Sequence, residues 1–205
     1  MKTKPEGSPG LDNAVVGTRE RILDAALNIF SHKGFHETRL DEIVDEAKTS
    51  KGSIYLYFPN KEQLFLALVD QFANLLERRV NDAIATESNG IERVRAALIA
   101  VVETFGKYRM PAKIMLVQAV GLGSVFEKKR REVTDRFAQL IKTHLDESVA
   151  MRHIPDTDTE VAAHAWMGAI YNLMIQWVYT GEPTSERIVE TLVPLLLRSV
   201  GYERA

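Results

Sequence analysis

The stretch from Thr49 to Lys61 contains two lysines, two tyrosines, two serines and no acidic side chain. Gly52 and Ser53 are small, so the backbone there can approach a large partner closely. Lys51 can reach a base edge or a phosphate, and each tyrosine carries a hydroxyl on a rigid ring. This combination is typical of a helix that lies in the major groove of DNA.

An alternative interpretation places Tyr55, Tyr57 and Phe58 together in a hydrophobic core, since aromatic residues are often buried. Ile54 and Phe58, however, are four residues apart and therefore share one face of a helix. These two side chains can supply the buried contacts. Tyr55 and Tyr57 are then free to point outwards, so we predict that both contact DNA.

Three predicted helices would position this segment. Apolar residues recur at helical spacing over residues 18–33, with Thr18 as a candidate N-cap. Thr38 can cap a second helix, and Ser50 can cap a short third helix after the tight Lys48-Thr49 connection. Two short helices joined by a tight turn indicate a helix-turn-helix.

The pattern remains helical over the rest of the chain. A fourth helix opens at Lys61, and five more are predicted near residues 91–109, 111–123, 125–150, 157–180 and 184–200. The predicted fold class is therefore all-α with about nine helices. The predicted domains are a flexible arm over residues 1–16, a three-helix helix-turn-helix domain over residues 17–63 and a C-terminal helical domain over residues 64–205.

The composition excludes several classes of protein. The chain has 205 residues, a net charge of −2 and 45% hydrophobic residues, which is ordinary for a globular protein and excludes a histone-like polycation. There are no cysteines, so thiolate zinc sites, iron–sulfur clusters and cysteine nucleophiles are excluded. With no signal peptide and no apolar membrane span in the sequence, a soluble cytoplasmic protein is predicted.

Residues 18–66 carry an ordered set of motifs. The set comprises Thr18-Arg19-Glu20-Arg21-Ile22-Leu23-Asp24-Ala25-Ala26, Phe30, Lys33-Gly34-Phe35, Thr38, Ile43, Ala47, Ser50-Lys51-Gly52-Ser53-Ile54-Tyr55-Leu56-Tyr57-Phe58 and Lys61-Glu62-Gln63-Leu64. In these residues, about a quarter of its length, the chain resembles the N-terminal domain of the tetracycline-repressor (TetR) family of transcriptional regulators. The later helices resemble that family only in number, length and order.

The resemblance implies a role for each matching position. Thr38 would cap the second helix and touch a phosphate, and Lys61 would bind the DNA backbone. The remaining implied contacts to the groove and its rim are Thr49, Ser50, Lys51, Gly52, Ser53, Tyr55 and Tyr57.

The sequence departs from the family pattern at two positions. Arg39 replaces a common second threonine, which adds a candidate phosphate or base contact. Lys48 occupies the turn where glycine is usual. If the φ angle of this residue is positive, the lysine side chain costs about 1 kcal/mol.

The C-terminal helices are expected to bind an effector and to form a homodimer. The helix near residues 157–180 is apolar nearly all round, and the last helix is also apolar, so the last two helices are the predicted dimer interface. Ala162, Ala165 and Ala169 would allow close helix approach there. A lipophilic or aromatic effector is expected in a pocket whose candidate residues are Phe105, Tyr108, Met115, Gln118, His164, Met167, Tyr171 and Trp177.

Other chemistry is poorly represented. The histidines lack partners at metal-ligand spacing, no catalytic constellation appears, and neither a metal nor a cofactor is predicted. The basic run over residues 128–131 is expected to be a solvated helix face.

The predicted function is therefore a DNA-binding transcriptional regulator and not an enzyme: a homodimeric repressor that binds a palindromic operator on double-stranded DNA and is released by a small molecule. Two alternatives are a helical enzyme with a helix-turn-helix-like N-terminus, which predicts turnover, and a protein-interaction module, which predicts no salt-dependent DNA affinity.

Overall fold

The computed structural model describes residues 10–119 and 122–203, with side chains from Gly17 onwards. Across these residues the chain forms nine α-helices and one π-helical segment, and no strand. The all-α prediction is confirmed. The chain divides into two compact units, one ending at Leu68 and the other beginning at Val69.

The first unit contains the predicted helix-turn-helix. Its helices are α1 (Gly10–Lys33), α2 (Leu40–Glu46), α3 (Lys51–Tyr57) and the first part of α4 (Lys61–Ile84), which continues into the second unit. Gly34, with φ of 85°, ends α1, and its backbone N–H donates to the carbonyl oxygen of Phe30 at 2.8 Å. A left-handed residue just after the last helical turn is a common way to end a helix.

Helix α1 begins earlier than the sequence predicted. It starts at Gly10, immediately after Pro9, so Thr18 is an interior residue and the N-cap prediction is wrong. No proline follows Pro9 in this stretch, and Gly17 costs a helix only about 1 kcal/mol, so the helix can extend back to Gly10. The predicted arm falls on residues 1–9, which lie outside the described residues, and on residues 10–16, which belong to α1.

A cluster of aromatic rings forms part of the core of the first unit. Phe30 and Phe65 meet edge to face with ring centroids 5.2 Å apart, and Phe35 packs on both of them. Ile43 of α2 and Ile54 of α3 are also fully buried. Each of the two short helices is therefore attached to the core by at least one apolar side chain.

Lys48, in the turn between α2 and α3, adopts a left-handed backbone conformation. Its φ angle is 49°. Among the described non-glycine residues, only Lys48 and Arg152 have a positive φ angle. Thr49 then donates its backbone N–H to the carbonyl oxygen of Val44 at 3.1 Å, which closes the turn. The sequence left the φ angle of this residue open, and the structure has a lysine in the left-handed conformation that favours glycine.

The second unit consists of the remaining helices packed around one core. They are the rest of α4, α5 (Gly90–Lys107), α6 (Arg109–Lys113), the π-helical segment (Ile114–Gln118), α7 (Ser124–Ala150), α8 (Thr159–Thr180) and α9 (Ser185–Ser199). Helix α5 packs on α7 and α9, and α7 packs on α8. Asn89, Asp158 and Thr184 cap α5, α8 and α9 through side-chain oxygens, each accepting a backbone N–H.

The helix predicted over residues 111–123 is shorter and divided. Tyr108 has a non-helical conformation (φ −118°, ψ 62°) that separates α5 from α6. Pro111 is tolerated within α6 because it lies in the first turn, where a backbone N–H has no helical acceptor. The chain then widens into the π-helical segment, a geometry that frequently occurs at functional sites. Among the described residues no helix combines the length and the apolar character needed to cross a membrane.

The strained turn at Lys48 gives a direct test of the fold. Lys48→Gly should raise the free energy of unfolding by about 1 kcal/mol, because glycine adopts positive φ without the steric cost. Urea denaturation followed by circular dichroism measures this change. Lys48→Ala is the matched control, since it removes the same charge and keeps the Cβ. An equal gain in both variants would contradict the role of backbone strain.

Candidate nucleic-acid interface

Helix α3 is held in place by two side chains on one face. Ile54 is 1% exposed and Phe58, just past the helix end, is 4% exposed. The guanidinium of Arg19 lies over the Phe58 ring at 5.5 Å from its centroid. A helix of seven residues is too short to be stable alone, so these contacts determine where it lies. The prediction that Ile54 and Phe58 supply the buried contacts is confirmed.

The first turn of α3 is fixed by a pair of serines. Ser50 is the N-cap, and its hydroxyl oxygen accepts the backbone N–H of Ser53 at 3.1 Å. The two hydroxyls also lie 2.8 Å apart, at hydrogen-bonding distance. The predicted N-cap is confirmed, and both hydroxyls are already in a defined geometry without a partner molecule.

The opposite face of α3 is open to solvent. Lys51 and Gly52 are exposed, Tyr55 is 47% exposed and Leu56 is 77% exposed. Tyr57 is half-buried beside Phe58. The outward position predicted for Tyr55 is therefore found, whereas that of Tyr57 is only partial.

Lys51 forms an ion pair that the sequence analysis did not include. Its ammonium lies 2.9 Å from a carboxylate oxygen of Asp41, and Arg39 approaches the other carboxylate oxygen at 4.0 Å. Hydrogen bonding to Lys51 lowers the pKa of Asp41, and the same bond raises the pKa of Lys51. Any stability from the pair is therefore present at neutral pH and is lost as the pH falls through the lowered pKa of Asp41. All three side chains are exposed, so a phosphate can compete for both cations.

Thr38 has a different position from the one implied by the family. The N-cap of α2 is Arg39, whose backbone N–H donates to a carboxylate oxygen of Glu42 at 3.1 Å. Thr38 is 2% exposed, and its hydroxyl donates to the carbonyl oxygen of Gly34 at 2.6 Å. The prediction that Thr38 caps α2 is wrong, because its hydroxyl points towards Gly34 in the α1–α2 connection instead of towards α2. The burial of Thr38 also argues against a contact with a phosphate.

Lys61 is committed to the protein itself. Its ammonium donates to the carbonyl oxygens of Phe35 at 2.8 Å and Thr38 at 3.0 Å, with that of His36 at 3.4 Å. The same ammonium lies over the Phe35 ring at 4.5 Å. An ammonium has three donors, and here three carbonyl oxygens surround it. This geometry argues against the predicted contact with the DNA backbone and makes Lys61 the anchor of the α1–α2 connection.

A second candidate site is a cavity inside the C-terminal unit. Its volume is about 70 Å³, and it is lined by α4, α5, α7, α8 and the π-helical segment. Almost all of the lining is apolar, and the exceptions are Arg130, Thr134 and Tyr171. Four predicted pocket residues are brought together here: Phe105, Met115, Met167 and Tyr171.

The other four predicted pocket residues are absent from this lining. Trp177 is buried, with the guanidinium of Arg109 over its ring at 5.6 Å, and Tyr108 is half-buried beside Lys107. His164 is exposed, because it lies on the outer face of α8, whereas its neighbours Ala163 and Trp166 lie on the buried face. Gln118 ends the π-helical segment, and its buried side-chain oxygen has no hydrogen-bond partner among the described residues.

Arg130 is the cavity residue that the sequence analysis missed. Its guanidinium donates to a carboxylate oxygen of Glu127 at 2.8 Å, and this bond raises the pKa of Arg130. The charged run over residues 128–131 concealed it, because a run of four cations is expected to be solvated and Lys128 and Arg131 are indeed exposed. Helical spacing was the available signal, since the wall of α7 also contains Val133 and Phe137, three and seven residues further on.

No group of three or more histidine and acidic side chains is placed to hold a metal ion in the part of the chain that the structure describes. The chemistry of the first unit is instead that of exposed cations, hydroxyls and one apolar side chain on a helix that the core supports. That chemistry suits the contacts that proteins make to DNA.

Known proteins identify the family. Residues 22–68 match the family described as bacterial regulatory proteins, tetR family. The chain is also 26% identical over 183 residues to the HTH-type transcriptional regulator YdgC of Bacillus subtilis (strain 168), which covers 89% of this chain and 92% of that protein. Over residues 22–68 the chain has the DNA-binding domain of the TetR family of transcriptional regulators.

Several solved structures of transcriptional regulators have the same fold as this chain. The fatty acid degradation regulator FadR from Bacillus halodurans has a TM-score of 0.82 at 18% identity, covering 97% of this chain and 100% of that one. FadR from Bacillus subtilis in complex with stearoyl-CoA has a TM-score of 0.78 at 19% identity, covering 90% and 99%. AibR in complex with isovaleryl coenzyme A and operator DNA has a TM-score of 0.71 at 21% identity, covering 87% and 97%. These likenesses establish an N-terminal helix-turn-helix domain followed by a helical domain.

The anchor formed by Lys61 can be tested in the TetR-family regulator. Lys61→Met should lower the free energy of unfolding by about 2 kcal/mol, because carbonyl oxygens lose a charged donor. Lys61→Arg should retain part of the stability. In both variants the slope of DNA affinity against salt should stay that of the wild type, measured on a random-sequence duplex. A slope that falls by about 1 with stability unchanged would instead place Lys61 on a phosphate.

Proposed function

We propose that this TetR-family transcriptional regulator is a homodimeric repressor that binds a palindromic operator and is released by a small molecule with an apolar chain. The observation that carries the DNA-binding part is the outward face of α3, where an exposed lysine, glycine, tyrosine and leucine follow one another around a helix held by Ile54 and Phe58.

The proposed DNA contacts come from the exposed residues of the helix-turn-helix. Arg39 and Lys51 supply exchangeable positive charge, since each can leave Asp41 for a phosphate or a base edge. Tyr55 supplies an outward hydroxyl. Thr49, Ser50, Gly52, Ser53 and Tyr57 complete the proposed set. Thr38 and Lys61 are proposed to act indirectly, by holding the α1–α2 connection.

Gly52 supports close approach of the recognition helix to DNA. A Cβ built at this position would have only the Ser50 hydroxyl oxygen nearby, at 3.8 Å, and the φ angle is not positive. The fold itself therefore has room for a larger residue, and alanine would favour the helix. A requirement for glycine here would come from the partner, whose groove leaves no room for a side chain.

The dimer is proposed to form through α8 and α9. Val161 and Tyr179 of α8 are 63% and 64% exposed, and Leu195 of α9 is 55% exposed, although all three are large apolar residues. Between them α8 exposes Ala165 and Gly168, and a Cβ at Gly168 would meet nothing within 4 Å. A stripe of small and apolar residues on an exposed helix fits close packing against a second copy of the same helix.

The effector is proposed to occupy the cavity of the C-terminal unit. Its apolar walls suit a hydrocarbon chain, and Arg130 and Tyr171 are polar groups that can meet a carbonyl or an anionic group. Two solved structures of this fold contain a bound acyl coenzyme A: FadR from Bacillus subtilis is in complex with stearoyl-CoA, and AibR is in complex with isovaleryl coenzyme A. Both observations support an acyl-type ligand.

Helix α4 is proposed to couple the cavity to DNA binding. It contributes Leu76 and Val80 to the cavity and begins at Lys61, so a shift of α4 on ligand binding would change the position of the DNA-binding unit.

The proposed DNA contact can be tested at Gly52. Gly52→Ala should raise the free energy of unfolding by up to about 1 kcal/mol, because alanine is the better helix former. It should at the same time weaken binding at least about tenfold to a duplex enriched by the wild type from a random pool, because each good base contact contributes 1–3 kcal/mol. Chemical denaturation and fluorescence anisotropy measure the two effects. Gly17→Ala is the matched control, since a Cβ there would meet nothing within 4 Å and Gly17 lies outside the proposed DNA contacts. Unchanged DNA affinity in Gly52→Ala would argue against the proposed orientation of α3.

The second prediction concerns the effector, with stearoyl-CoA and isovaleryl-CoA as probes. At least one should bind 5- to 150-fold more weakly when the enriched duplex is present, because coupling free energies are typically 1–3 kcal/mol and act in both directions. Arg130→Met should weaken that ligand about tenfold, since a charged hydrogen bond is lost. Arg131→Met, at an exposed neighbour, is the control. Equal ligand affinity with and without DNA, or an equal loss in both variants, would refute the proposal for acyl ligands.

A further inference from the structure

Leu56 is the most exposed large apolar side chain among the described residues, at 77%. It is the second-last residue of α3. Of the neighbouring apolar side chains, Ile54 and Phe58 are buried and Tyr57 packs against Phe58, while Tyr55 is 47% exposed and carries a polar hydroxyl. Leaving a leucine in water forgoes the free energy of burying it. The residue therefore has no evident role in the fold of the isolated chain.

The position of Leu56 around the helix is informative. Successive residues of an α-helix are about 100° apart, so Leu56 lies about 200° from Ile54, on the side opposite the core. Gly52 lies four residues earlier and therefore on the same side as Leu56. The line of α3 that points most directly away from the protein thus contains a glycine and a leucine, while Ser53 and Tyr55 lie on either side of it.

An apolar outermost line restricts what it can recognise. A helix inserted into the major groove presents this line to the base edges, and Leu56 can neither donate nor accept a hydrogen bond. The base edges in the major groove carry donors and acceptors, with one apolar group among them, the C5-methyl of thymine. Gly52 adds no side chain that would hold the helix away from the bases.

We infer that Leu56 contacts the C5-methyl group of a thymine in each half-site of the operator and thereby sets the preference at that base pair. This inference rests on the proposed DNA-binding function and adds a specificity-determining residue to it. Arg39 and Lys51 contribute affinity through charge, whereas Leu56 contributes discrimination through apolar contact.

The experiment replaces thymine by deoxyuridine, which lacks the methyl group and keeps every hydrogen-bonding group. The probe is the duplex that the wild-type protein enriches from a random pool, with each thymine replaced in turn. In the wild type, one position per half-site should lose about fourfold in affinity, and about fifteenfold when both half-sites are changed. In Leu56→Ala this loss should disappear, because the methyl group no longer has a partner.

Two controls keep the result specific. Leu56→Met keeps an apolar side chain of similar volume and should keep most of the deoxyuridine effect. Val125→Ala removes apolar surface at an exposed position of α7 and should behave as the wild type.

The outcomes separate this inference from the proposed function. If no duplex is enriched, sequence-specific DNA binding itself fails. If a duplex is enriched but no deoxyuridine position depends on Leu56, the inference is overturned while DNA binding stands.

Discussion

The short recognition helix can be used only because the core holds it. With seven residues, α3 cannot sustain its own helical structure in water, so its position depends on burial of Ile54 and Phe58 and on the Ser50 cap. These contacts involve one face of α3 and leave the opposite face exposed to solvent, without contacts to the core. That division of one helix into a structural face and a free face makes the exposed residues available for recognition.

The cationic side chains of the first unit fall into two groups. Lys61 donates to backbone carbonyls and Lys33 pairs with Glu42, so both cations stabilise the connections between helices. Lys51 and Arg39 instead share the exposed carboxylate of Asp41, an arrangement that contributes little stability and is easily exchanged. A chain with a net charge of −2 can thus present positive charge locally, because its acidic residues lie elsewhere or can be displaced.

Sequence reasoning succeeded where a local pattern decides the structure. Helical periodicity predicted the element order, and the i, i+4 pair predicted the buried face of α3. It failed where a distant partner decides the role. The ammonium of Lys61 meets carbonyls more than twenty residues earlier, and the hydroxyl of Thr38 turns to Gly34, neither of which spacing reveals. Arg130 was hidden in a charged run although its helical register faces the cavity.

The central claim is that two copies of the free face of α3 read DNA together. Selection of duplexes from a random pool by the wild-type protein tests it most directly. We expect enrichment of an inverted repeat whose half-site centres are about 34–36 Å apart, or a multiple of that distance, because a two-fold dimer presents two α3 helices. Enrichment of a single unrepeated site would contradict the dimer, and no enrichment above random sequence would contradict the account as a whole.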